Sequence, residues 1–175
     1  NGGGIYSEGI CNLNSCTISG KTAKVRSGSV KGGGVYIESG SFKMEGCIIS
    51  GNTAGSETSD AYANANAYGG GIYGESGTKI DMNDTTISEN KVASENDVDG
   101  AGVYLSGAEL TMQENSKIYG NSCVFGGHAS SYGGGVYINN SSTFTMTCGE
   151  IFENSAKYGG GVYVSGGKFI MNGGS

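Results

Sequence analysis

Hydrophobic positions along this chain fall in three short bursts that return in the same order. In the first, a β-branched residue and a tyrosine follow a run of glycine: Gly2-Gly-Gly-Ile-Tyr6, Gly32-Gly-Gly-Val-Tyr36, Gly69-Gly-Gly-Ile-Tyr73, Gly100-Ala-Gly-Val-Tyr104, Gly133-Gly-Gly-Val-Tyr137 and Gly159-Gly-Gly-Val-Tyr163. In the second, an apolar residue and a Met or Leu are separated by one polar position, as in Cys11/Leu13, Phe42/Met44, Ile80/Met82, Leu110/Met112, Phe144/Met146 and Phe169/Met171. The third is a single isoleucine, Ile18, Ile49, Ile87, Ile118 or Ile151, set three residues before Lys21, Asn52, Asn90, Asn121 or Asn154.

Period-2 alternation in these bursts predicts strands, and no window carries the 3.6-residue period of an amphipathic helix. The glycine phrases start 30, 37, 31, 33 and 26 residues apart, a spacing that signals a solenoid rather than one globular core. The chain therefore reads as all-β: a parallel β-helix of about six coils, three short strands per coil, forming one segment over residues 1–175. Equivalent residues of successive coils should stack about 4.8 Å apart. The Val/Ile of the glycine phrase, the apolar-x-Met pair and the isoleucine should face inward. Alternation sends Tyr6, Tyr36, Tyr73, Tyr104, Tyr137 and Tyr163 outward as one ladder, while Asn52, Asn90, Asn121 and Asn154 form another at a corner. Neither end carries a polar or helical cap, so the repeat is expected to continue past both.

Composition narrows the function classes. A net charge of -6 with only 10 Lys+Arg argues against nucleic acid or an anionic membrane as a partner. No apolar run reaches the length of about 18 residues needed to insert in a membrane as a helix. The 35 glycines suit corners and close coil contact. Phosphate-binding glycine loops need a following helix, and none is predicted.

The pairing of Gly-Gly-x-Ile/Val with an asparagine-ended turn once per coil resembles the repeats of polymorphic outer membrane proteins and related right-handed parallel β-helices of bacterial surfaces. The resemblance covers nearly the whole chain. Here the third residue of the phrase is glycine (Gly4, Gly34, Gly71, Gly102, Gly135, Gly161), and isoleucine stands where that family has phenylalanine. It implies an extracellular or cell-surface passenger with an adhesive role. The leading expectation is thus a secreted or surface structural solenoid acting as spacer, adhesin or filament subunit. Coils this alike could also stack head to tail, making a second copy or neighbouring repeats the partner along the axis.

Candidate chemistry is sparse. Glu8, Glu38 and Glu75 share one position and should stack, which leaves a solvated edge, a weak calcium site or a catalytic carboxylate pair as alternatives. The last would fit a polysaccharide lyase or glycoside hydrolase, the rival function. No other cofactor is indicated. Length varies between the asparagine and the next glycine phrase, so loops 53–68, 91–99 and 122–132, the last with the only histidine, His128, are expected to meet a glycan or protein partner. Among five cysteines, Cys16 and Cys47 fall in one column of adjacent coils, where a disulfide and two free thiols are both compatible with the spacing. Cys123 is placed in a loop.

Overall fold

The computed structural model describes residues 2–56, 65–94, 96–125 and 130–175. Every strand pairing in it is parallel and joins one coil to the next, so the chain is a parallel β-helix. The three expected strands are present. The tyrosine sheet has six strands, from Ile5–Ser7 through Val35–Ile37, Ile72–Gly74, Val103–Ser106 and Val136–Asn139 to Val162–Val164. The methionine sheet also has six, from Ile10–Asn14 to Lys168–Met171, and the isoleucine sheet has five, from Thr17–Ser19 to Glu150–Phe152.

Each of the first four coils has two further strands in the stretch that was expected to be loop. Thr22–Val25, Thr53–Ser56, Lys91–Ser94 and Ser122–Phe125 form a sheet after the asparagine corner. Gly28–Lys31, Ala65–Tyr68, Val98–Asp99 and Ser131–Tyr132 form another just before the glycine phrase. Within the described residues, the expected loops 53–68, 91–99 and 122–132 are therefore mostly strand. Residues 57–64, 95 and 126–129, His128 among them, lie outside the described residues.

Stacking in register divides the interior in two. Val35, Ile72, Val103 and Val136, with Phe42, Met44, Ile80, Met82, Leu110, Met112, Phe144 and Met146, are all at most 2% exposed and share one core with the isoleucine column. A second, smaller core is built from Ala23, Ala54, Val92 and Cys123 facing Val30, Ala67 and Val98. Cys123 is thus a buried strand residue, not a loop residue, and burial pushes its thiol up to about 12.

The corners follow from backbone sterics. The first glycine of every phrase has φ between 59° and 68°, in the left-handed region where a Cβ is costly. A Cβ on the third glycine, at Gly34, Gly71, Gly102 or Gly135, would lie 2.5–2.8 Å from the next coil's carbonyl and 2.9–3.1 Å from an asparagine Nδ2. The middle position is as tight, a Cβ on Gly3, Gly33, Gly70 or Gly134 lying 2.3–2.6 Å from backbone, yet Ala101 occupies it fully buried.

The asparagine ladder runs inside the wall. The Asn90 Nδ2 group donates to the Ile49 carbonyl at 2.9 Å and to Asn121 Oδ1 at 3.0 Å. Its Oδ1 accepts the Asn52 backbone N–H at 3.0 Å and Asn52 Nδ2 at 2.9 Å. Asn52, Asn121 and Asn154 repeat the pattern, and the Lys21 N–H closes the first coil on Asn52 Oδ1 at 2.9 Å. A buried carboxamide in this position satisfies itself and adds a bond to a backbone N–H and to a backbone carbonyl. Replacing Asn90 by Leu removes the partner of the Asn52 N–H and one bond from each of the Asn52 and Asn121 amides; urea unfolding of N90L is expected to show a loss of about 3 kcal/mol or more. A stability equal to that of the parent chain would show that the ladder is not a structural support.

Candidate functional site

Alternation in the strand Val35–Ile37 turns Val35 and Ile37 to the core and Tyr36 to the other face, and the same holds in every coil. The outward direction expected for the tyrosines is correct, yet Tyr36, Tyr73, Tyr104 and Tyr137 are only 4–8% exposed. They are covered because the glycine corner folds the outer face of the preceding strand against them. The rings stack on one another, with centroids 4.9 Å apart for Tyr73–Tyr104 and 4.8 Å for Tyr104–Tyr137. A second row, one residue before each glycine phrase, packs on this stack: Lys31, Tyr68, Asp99, Tyr132 and Tyr158. Tyr68 meets Tyr104 at 5.0 Å, Tyr132 meets Tyr163 at 4.7 Å, and Lys31 Nζ lies 4.9 Å from the Tyr73 centroid. The result is a seam of interleaved rings along the outside of the solenoid.

The hydroxyls end on the column that begins with the three glutamates. Tyr36 Oη donates to Glu75 Oε1 at 3.1 Å, and Lys31 Nζ pairs with the same oxygen. Tyr6 Oη donates to Glu8 Oε1 at 2.5 Å. Further along, Ser106, Asn139 and Ser165, the equivalents of the glutamates in later coils, lie beside the hydroxyls of Tyr73, Tyr104 and Tyr137. The backbone does stack Glu8, Glu38 and Glu75 as expected, through Glu38 N–H to Ser7 O and Glu75 N–H to Ile37 O. Their carboxylates diverge in use: Glu75 holds an ammonium and a phenol, Glu8 holds a phenol, and Glu38 faces solvent. Among the described residues no three His, Cys, Asp or Glu side chains converge as a metal site.

Asp99 stands out in the seam. It sits between Tyr68 and Tyr132 in the row, 6% exposed, and its Oδ1 accepts the Tyr132 N–H at 3.1 Å. Burial, then the nearby charge of Asp97, pushes its carboxyl up to about 7, while the Tyr132 bond acts in the opposite direction. Burial also lifts Tyr68 to about 12, with Asp99 adding to the effect. The composition of the row could have pointed to this group, as an acid in a place otherwise held by tyrosine or lysine.

Two other surfaces complete the inventory. On the outer face of the solenoid, Lys43–Asp81, Lys79–Glu109 and Lys117–Glu150 pair across coils at 4.0, 3.6 and 3.2 Å, all well exposed and hence of small energetic weight. An open polar groove on the methionine sheet is lined by Asn12, Lys43, Glu45, Asp81, Asn83 and Gln113. Comparison of the chain with protein-family models, curated proteins and solved structures returned no match.

Because the carboxyl of Asp99 binds its proton more tightly folded than unfolded, its contribution to stability is full below its unfolded value of 3.8 and is lost as pH rises through about 7. Denaturant unfolding is therefore expected to give a chain less stable at pH 8 than at pH 5, by on the order of 2 kcal/mol from this group. In Asp99→Asn that slope should flatten; an unchanged slope would assign it to other groups.

Proposed function

We propose that this chain is a structural and adhesive solenoid of the cell surface or secreted space, a stiff rod that presents its outer seam to a protein or glycan partner. The observation that carries the reading is the continuity of its ladders: the asparagine chain links five coils and the tyrosine stack runs through all six without a break. A rod built this way transmits load through backbone bonds running along its axis. The likeness of the repeat phrase to polymorphic outer membrane protein passengers supports the surface location and the adhesive role. Where the seam is open, at Tyr6 and Tyr158, each nearly half exposed, it offers ring surface of the kind a sugar or protein surface recognises.

An antibody raised against the folded chain is expected to label intact producer cells, or their medium, without permeabilisation. Staining that requires permeabilisation would overturn the location. Incubation with pectin, alginate and related glycans should release no new ends. Turnover that disappears in Glu38→Gln would replace the structural reading with the enzymatic one.

Association along the axis is part of the same proposal. Equivalent strands of successive coils repeat one parallel register, so the edge of any coil offers the bonds that the next coil takes. Sedimentation across a concentration series should show growing species at high concentration. A single monomer boundary throughout would exclude self-stacking.

A further inference from the structure

We propose that Cys16 and Cys47 form a redox-reversible covalent staple between the first two coils, a modification site independent of the outer seam. The two residues are consecutive members of one inner corner column whose later members are Thr85 and Ser116. The column has a fixed hydrogen-bond habit. Thr85 Oγ1 donates to the carbonyl two residues earlier, Asn83 O, at 2.9 Å, and accepts the Cys47 N–H at 3.3 Å. Both thiols imitate it: Cys16 Sγ points to Asn14 O at 3.2 Å and Cys47 Sγ to Glu45 O at 3.3 Å. The side chains therefore leave the backbone in the same direction, one above the other.

Register holds them there. Ile48 N–H donates to Cys16 O at 2.9 Å, and Thr17–Ser19 pairs with Ile48–Ser50 immediately beyond. Neighbours in such a ladder are separated by about 4.8 Å, inside the Cα window of a disulfide. Both are free thiols in the structure. Cys47 is 1% exposed, whereas Cys16 is half-buried and open to a soluble oxidant. Cys11 is the one competitor nearby. It lies in the methionine sheet above Phe42 rather than above a thiol, and burial, then the charge of Cys16, raises its pKa and lowers its thiolate fraction.

The chemistry balances with a disulfide oxidant such as oxidised glutathione. The Cys16 thiolate attacks one sulfur, forming a mixed disulfide and releasing one glutathione thiolate. Cys47 loses its proton to solvent and attacks Cys16 Sγ, forming the staple and releasing the second glutathione. Two protein thiols are oxidised and one glutathione disulfide is reduced. In an oxidising compartment the staple would persist, and in a reducing one it would open.

The full chain is to be equilibrated with oxidised and reduced glutathione, alkylated and digested with trypsin. Linkage is expected between the peptides 1–21 and 44–79, retained in Cys11→Ser and lost in Cys16→Ser and in Cys47→Ser. Serine is a fair replacement because Ser116 fills this position natively. The oxidised chain should melt about 5–10 °C above the reduced one, an increment missing from both serine variants. No linked peptide under oxidising conditions, a link that survives Cys16→Ser, or a stapled chain that melts below the reduced one would each overturn the proposal.

Discussion

Everything in this fold depends on register between coils. A parallel ladder with like side chains one above the other lets each residue type solve its own problem repeatedly: methionines and isoleucines stack as core, tyrosines pack ring against ring, and asparagines bond to asparagines. A slip of one residue would turn the tyrosines into the core and the valines outward. The asparagine column is the element that forbids the slip. Its carboxamide must meet a backbone N–H, a backbone carbonyl and another carboxamide at once. No neighbouring register offers all three.

Glycine serves this constraint rather than flexibility. The first glycine of the phrase reverses the chain in the left-handed region, and the third leaves the space into which the asparagine amide fits. Other corners reach the same backbone region with ordinary residues: Ser15 and Asp84 before the cysteine-threonine column, and Glu89 and Glu153 before the asparagines, where Gly20, Gly51 and Gly120 serve in other coils. Glycine is optional where only the dihedral matters.

The inner ladders were legible because large apolar residues announce them. Phe, Met, Ile and Val at fixed offsets cannot be accidental in a chain this rich in glycine. The two added strands were not legible, because their inward positions hold Ala23, Ala54, Val92 and Cys123, and Val30, Ala67, Val98 and Ser131. These are small residues without contrast against polar neighbours. A fixed offset was present nonetheless, two residues after the corner asparagine and two before the glycine phrase. For the seam, the sequence revealed the tyrosine rows but not their closure on each other, which depends on the angle at the glycine corner. Nor could it show that Glu8 and Glu75 accept hydrogen bonds from tyrosine hydroxyls while Glu38 faces solvent.

The asparagine column also gives the rod an electrical direction. Every linked carboxamide points the same way, oxygen toward the coil before and amide hydrogen toward the coil after. Backbone bonds in a parallel sheet alternate in direction and largely cancel. The side-chain column does not cancel, so its dipoles add along the axis as peptide dipoles add along an α-helix. The partial negative end faces the Lys21 amide and the partial positive end lies at Asn154. A charge approaching along this column therefore meets opposite signs from its two directions.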